Sequence, residues 1–107
     1  MPEYRVAFAE GSSVQNNFGG RGFGGIQHIE FLEADSRVDI FLMMHERYAR
    51  DGMDLTVITH DGKSLLDFTH DELREIYDRG KISVKSDFPI RGAQIQSIKL
   101  ASEVEAV

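Results

Sequence analysis

Ten consecutive residues, NNFGGRGFGG (16–25), hold five glycines, two phenylalanines and one arginine, with no aliphatic side chain. Glycine loses more backbone freedom on folding than any other residue, so this stretch cannot be helix and makes a poor strand. The residues leading into it, from Gly11 to Gln15, are Gly, Ser, Ser, Val and Gln. Composition therefore predicts a glycine-rich loop over 11–25, longer than most connections in compact domains, inserted between two strands.

Those strands are legible on either side. Tyr4, Val6 and Phe8 alternate with Arg5, Ala7 and Ala9, the period of a strand with one buried face. IQHIEFLE (26–33) reads as its partner. Ser36 then stands as an N-cap with Asp39 three residues on, and Val38, Phe41, Leu42, His45, Tyr48 and Ala49 follow at helical spacing up to Gly52. A helix over 36–51 is expected.

Asp61-Gly62 lies between two β-rich runs, 54–60 and 63–68, which is a type I′ hairpin signal. Thr69 with Glu72 forms a capping box, Phe68 can staple onto Leu73, and Leu73, Ile76 and Tyr77 make a narrow apolar stripe before Gly80. A second helix over 70–79 follows. The remainder predicts a strand at 81–86, a break at Pro89 and Gly92, and a strand at 93–102. The phase change between Ile95 and Ile98 marks a bulge, and 103–107 extends that strand or frays. The expected fold is a single α+β domain over 1–107, a mostly antiparallel sheet of five to six strands with two short helices, in the order β-β-α-β-β-α-β-β. Its core is expected to include Val38, Phe41, Leu42, Leu55, Val57, Leu73, Ile76, Ile82, Val84, Ile98 and Leu100.

Composition narrows the chemistry. A chain of 107 residues without cysteine has no thiol catalysis and no cysteine-ligated metal. Twelve basic against eighteen acidic residues give −6, which weighs against nucleic acid as partner. No signal-type h-region and no membrane-length apolar run is present, so the expected location is the cytoplasm, with no membrane partner.

The motifs that resemble catalytic signatures lack their context. Gly20 to Gly25 spells G-x-G-x-x-G, but a strand follows where dinucleotide binding needs a helix. DGKS (61–64) lacks the upstream glycine of a phosphate loop, because position 57 is Val. His45-Glu46 has Ala49 where a zincin needs histidine. His28 and Glu30 share a strand face, a metal-competent spacing, and His60 or His70 would have to complete the set.

The favoured expectation is a non-enzymatic protein-binding regulator or inhibitor, of the kind used by phage, mobile elements or immunity systems. It needs no cofactor and engages another protein through the loop 16–25. Phe18, Arg21 and Phe23 would supply contact energy, with Asn17 and Gly22 beside them, since aromatics and arginine dominate interface hot spots. The alternatives are a ligand- or metal-dependent enzyme built on His28 and Glu30, and a homo-oligomer that hides its phenylalanines between subunits.

Overall fold

The computed structural model describes residues 1–15, 21–57, 59–60, 63–64, 66–85 and 89–105. Strand β1 (Glu3–Gln15) runs antiparallel to β2 (Arg21–Glu33), in register from Glu3 opposite Glu33 to Gln15 opposite Arg21. The loop expected over 11–25 is thus paired backbone on both sides, and only 16–20 lie outside the described residues. The physical reason is tertiary. Gly11 faces Gly25 on one flank and Gly92 on the other, and a Cβ at Gly11 would fall 2.1 Å from the Gly24 carbonyl oxygen. Missing side chains let the backbones close up, and the two ladders override the weak strand propensity.

β6 (Arg91–Leu100) pairs antiparallel with the other side of β1. Its register jumps between Ala7–Ser97 and Phe8–Ile95, so Gln96 is the extra residue of the bulge expected between Ile95 and Ile98. β3 (Asp54–Val57) runs parallel to β6, giving a mixed four-stranded sheet in the order β2-β1-β6-β3. The sheet has fewer strands than expected for two reasons. The 54–60 run divides, with β4 (Thr59–His60) pairing separately with β5 (Lys63–Ser64); the Asp61-Gly62 turn lies outside the described residues. Residues 81–85 form no strand, because Ile82 and Val84 pack on the core while Val57 N–H reaches the Lys85 carbonyl at 2.8 Å. At the other end, 101–105 leave the sheet as a short helix, α3 (Ala101–Glu105), rather than fraying. The class is a small α+β domain.

Helix α1 (Arg37–Arg50) starts where Ser36 Oγ accepts the Asp39 N–H at 3.3 Å, and Gly52 beyond its end has φ +71°. It buries Val38, Ile40, Phe41, Met44 and Tyr48, leaving Ala49 exposed and Leu42 and His45 half-buried. The buried arc is wider than the expected stripe because α1 packs on β3 and β6 and also on α2 (His70–Gly80).

The expected capping box opens α2: Thr69 Oγ1 accepts the Glu72 N–H at 3.1 Å, and Thr69 N–H donates to Glu72 Oε1 at 3.0 Å. The left-handed cap at its end is Lys81, φ 55°, not Gly80. Gly80 instead makes room, since a Cβ there would sit 2.7 Å from Leu42 Cδ2.

Tyr4, Val6, Phe8, Ile95 and Ile98 from the sheet meet Phe41, Met44 and Ile76 from the helices in one core. Of the expected core, Leu73 is the exception, 38% exposed. Among the described residues of α2 only Ile76 is buried, because this helix lies against α1 rather than the sheet and inserts a single side chain.

Candidate functional site

Residues opposite one another in neighbouring strands point to the same side of a sheet. One face therefore carries Tyr4, Val6 and Phe8 with Leu32, Glu30 and His28 from β2 and Leu100, Ile98 and Ile95 from β6; this is the core face. The other carries Arg5, Ala7 and Ala9 with Phe31, Ile29 and Gln27 from β2. On this second face Gln94 and Thr56 are buried, but the β2 side is bare. Gln27 Nε2 donates to Gln96 Oε1 across β1, where Ala7 and Ala9 leave room. Beyond that bridge Ile29 is 49% exposed and Phe31 51%, and on the core face Ile26 stands past the helix at 72%.

Among the described strands β2 is an edge, joined only to β1. Among the described residues, none outside the β1–β2 ladder makes a backbone bond to it. The opposite edge is guarded: β3 is four residues long and already bonded to Lys85. β2 runs for 13 residues with no proline, lysine or bulge, and of the devices that blunt an edge it carries only charge, at Glu30 and Glu33 among its described side chains.

Of the expected contact residues, Asn17 and Phe18 lie outside the described residues, as does the side chain of Arg21, whose backbone opens β2. Gly22 is strand, and Phe23 is half-buried. The Phe23 ring lies over its neighbour on the same face, because a Cβ at Gly25 would come 2.6 Å from Phe23 Cε1. It is a local anchor as well as a contact candidate.

His28 and Glu30 share the core face, as their spacing implies, yet each is engaged. The His28 ring stacks on Phe8 at 5.3 Å, and Glu30 pairs with Arg47 at 2.5 Å. His70 is exposed in the first turn of α2, the turn whose Glu72 holds Arg37. Arg37 and Arg47 are ten residues apart on α1, ~15 Å along its axis, so His70 does not join the pair. The His60 side chain lies outside the described residues. Among those described, no three His, Asp or Glu side chains converge to hold a metal.

The polar groups on the core face are structural in geometry. Tyr48 Oη donates to Glu10 Oε2 at 2.6 Å. Burial, and then the Glu10 carboxylate, push the phenol above its ordinary value of 10.0. A cleft of about 760 Å³ between Tyr4, Ile98, Lys99 and Glu72 contains Arg37, whose guanidinium is held by Glu72 and the carbonyls of Leu66 and Asp67. His45 is half-buried; burial, then the Lys85 charge, lower it below 6.5.

The residues that sequence reasoning missed are Ile26, Ile29 and Phe31. The signal was present in IQHIEFLE, which carries large apolar side chains on both alternating faces, while helix α1 covers one face near the centre of the sheet. Among the described helices none is long and apolar enough to cross a membrane. No family model matches the chain, and no curated protein or solved structure matches it.

Proposed function

We propose that this chain is a non-enzymatic protein-binding module, a regulator or inhibitor, whose contact surface is the β2 edge together with the bare flank beside it. The observation that carries the reading is the coincidence of two features on one strand. β2 offers an unpaired backbone edge, and the same strand displays Ile26, Ile29 and Phe31. A bound strand adds main-chain hydrogen bonds, and alternate side chains supply specificity. Exposed apolar groups clustered on an edge are a liability that a binding role accounts for. Phe23, Gly22 and Arg21 belong to the same strand, so the glycine segment is one end of this surface. The edge is already ordered, which spares the entropic cost that a floppy glycine loop would carry on binding.

The test is affinity capture from the native cell with wild-type protein and with an Ile29→Ser/Phe31→Ser double variant. The variant should remain folded, because both side chains are exposed, and lose the captured protein. Capture unchanged by the double variant would sink the reading.

A further inference from the structure

We propose that the occupant of the β2 edge is a second copy of this chain, with β2 pairing antiparallel to β2 about a two-fold axis at Gln27. The proposal rests on β2 being the binding surface and adds the identity of the partner and the register.

The register follows from the strand, RGFGGIQHIEFLE (Arg21–Glu33), whose two halves complement each other. With Gln27 opposite its own copy, all 13 residues find a partner. The small residues Gly22 and Gly24 fall opposite Leu32 and Glu30, and Gly25, over which the Phe23 ring of the same chain lies, falls opposite Ile29. Phe23 falls opposite Phe31, an aromatic cross-strand pair of the kind that stabilises sheets. Arg21 falls opposite Glu33, so the backbone ladder closes at both ends. The bare flank then gathers Phe23, Ile29 and Phe31 from both copies on either side of the paired Gln27 residues. Centring the axis on Ile29 instead would leave Arg21 to Gly24 unpaired.

The architecture accommodates the pairing. Rotation about the sheet normal keeps each face on its own side, so two four-stranded sheets become one of eight strands in the order β3-β6-β1-β2-β2-β1-β6-β3. Helix α1 packs on β3 and β6, the far side of the sheet, and reaches β2 through Arg47 and Glu30. The helices of the two copies therefore stay apart. Because the β3 edge is guarded by the Val57–Lys85 bond, the assembly closes as a dimer instead of extending. A 13-residue ladder runs ~44 Å, close to the 45 Å longest dimension of the protomer.

The absence of cysteine makes single-cysteine variants clean reporters. In this register two Gln27→Cys positions face each other at the ~4.5–5.5 Å of an antiparallel pair, within disulfide reach. Two Ile29→Cys positions lie four residues apart along the ladder, ~14 Å, beyond it. Wild-type protein should sediment as a dimer in the micromolar range, Gln27→Cys should form a covalent dimer under mild oxidation, and Ile29→Cys should not. Phe31→Glu should weaken dimerisation by tenfold or more with the melting profile of the monomer retained. A wild-type monomer throughout that range overturns the proposal, as does cross-linking through Ile29→Cys or through neither position. If the wild type is monomeric while the Ile29→Ser/Phe31→Ser variant still loses a different captured protein, the second copy is excluded and the binding reading stands. If those variants change neither association nor capture, both fall.

Discussion

Arg37 grips Glu72 with two hydrogen bonds, Nε to Oε2 at 3.2 Å and Nη2 to Oε1 at 2.6 Å, tying the first residue of α1 to the first turn of α2. The same guanidinium donates to the Leu66 carbonyl at 2.6 Å and lies 5.3 Å from the Phe68 ring centroid. Phe68 in turn meets Phe41 edge-on at 5.7 Å. One side chain thus fixes the turn before α2, the helix itself and an aromatic contact to the core.

Arg37→Ala should accordingly cost ~2–3 kcal/mol, well above the 0–1 kcal/mol of an isolated surface ion pair. Arg37→Lys should recover only a minor part, because an ammonium cannot reproduce the planar fork. Urea denaturation of the three proteins measures this. A loss near ~0.5 kcal/mol for Arg37→Ala would show the network to be idle.

Acid should weaken this junction. Burial alone would raise the Glu72 carboxyl, but the Arg37 hydrogen bonds and charge, with the Thr69 backbone bond, outweigh it and hold the group below its ordinary 4.5. A carboxyl depressed in the folded state stabilises at pH above its unfolded value and loses that contribution as pH falls through the folded value. The stability difference between wild type and Glu72→Gln should therefore shrink as the pH drops below 4.5. Curves that stay parallel into strong acid would contradict it.

Alkali acts on the other end of α1 with the opposite sign. The Tyr48 phenol is raised above 10.0 by burial and by its bond to Glu10. Its contribution is complete below the unfolded value and fades as pH rises past it, because the unfolded phenol ionises first. Tyr48→Phe should show a flatter loss of stability above pH 10 than wild type, followed by chemical denaturation across that range. Identical slopes would exclude a titrating Tyr48–Glu10 pair.

Ile76 and Leu73 should separate cleanly. Ile76 is fully buried, so Ile76→Ala should cost ~2–5 kcal/mol through lost transfer energy and the cavity left behind. Leu73 is exposed, and Leu73→Ala should fall below ~1 kcal/mol. Equal costs would place α2 in a different rotation against α1.

The local signals explain why both helices, the capping box, the strand starting at Tyr4 and the bulge at Gln96 were legible: each depends on neighbours within a few residues. The misreadings depend on distant partners. Gly11 and Gly25 look like loop until Gly92 and the opposite strand close on them. Leu73 has helical spacing identical to a core residue, and nothing local says that Ile76 is the one side chain buried among the described residues of α2. Ile29 and Phe31 lie in a run that reads as a strand, and their exposure follows only from β2 being the outermost of the described strands.

Gly92 tests that long-range closure most sharply. Its φ of +153° disfavours any side chain, and a Cβ there would lie 1.9 Å from the Asp54 carbonyl oxygen, inside the β3–β6 pairing. Gly92→Ala must push β3 away or twist β6 at the point where β1 also pairs with it, so a loss of ~3 kcal/mol or more is expected from strain and broken ladder bonds together. Gly22 is the control: nothing lies within 4 Å of its added Cβ. Gly22→Ala should stay within ~0.5 kcal/mol of wild type, or stabilise slightly by restricting the unfolded chain. Thermal melts of the two variants at equal concentration decide it. A Gly92→Ala protein as stable as Gly22→Ala would mean that β3 does not sit beside β6 at Asp54.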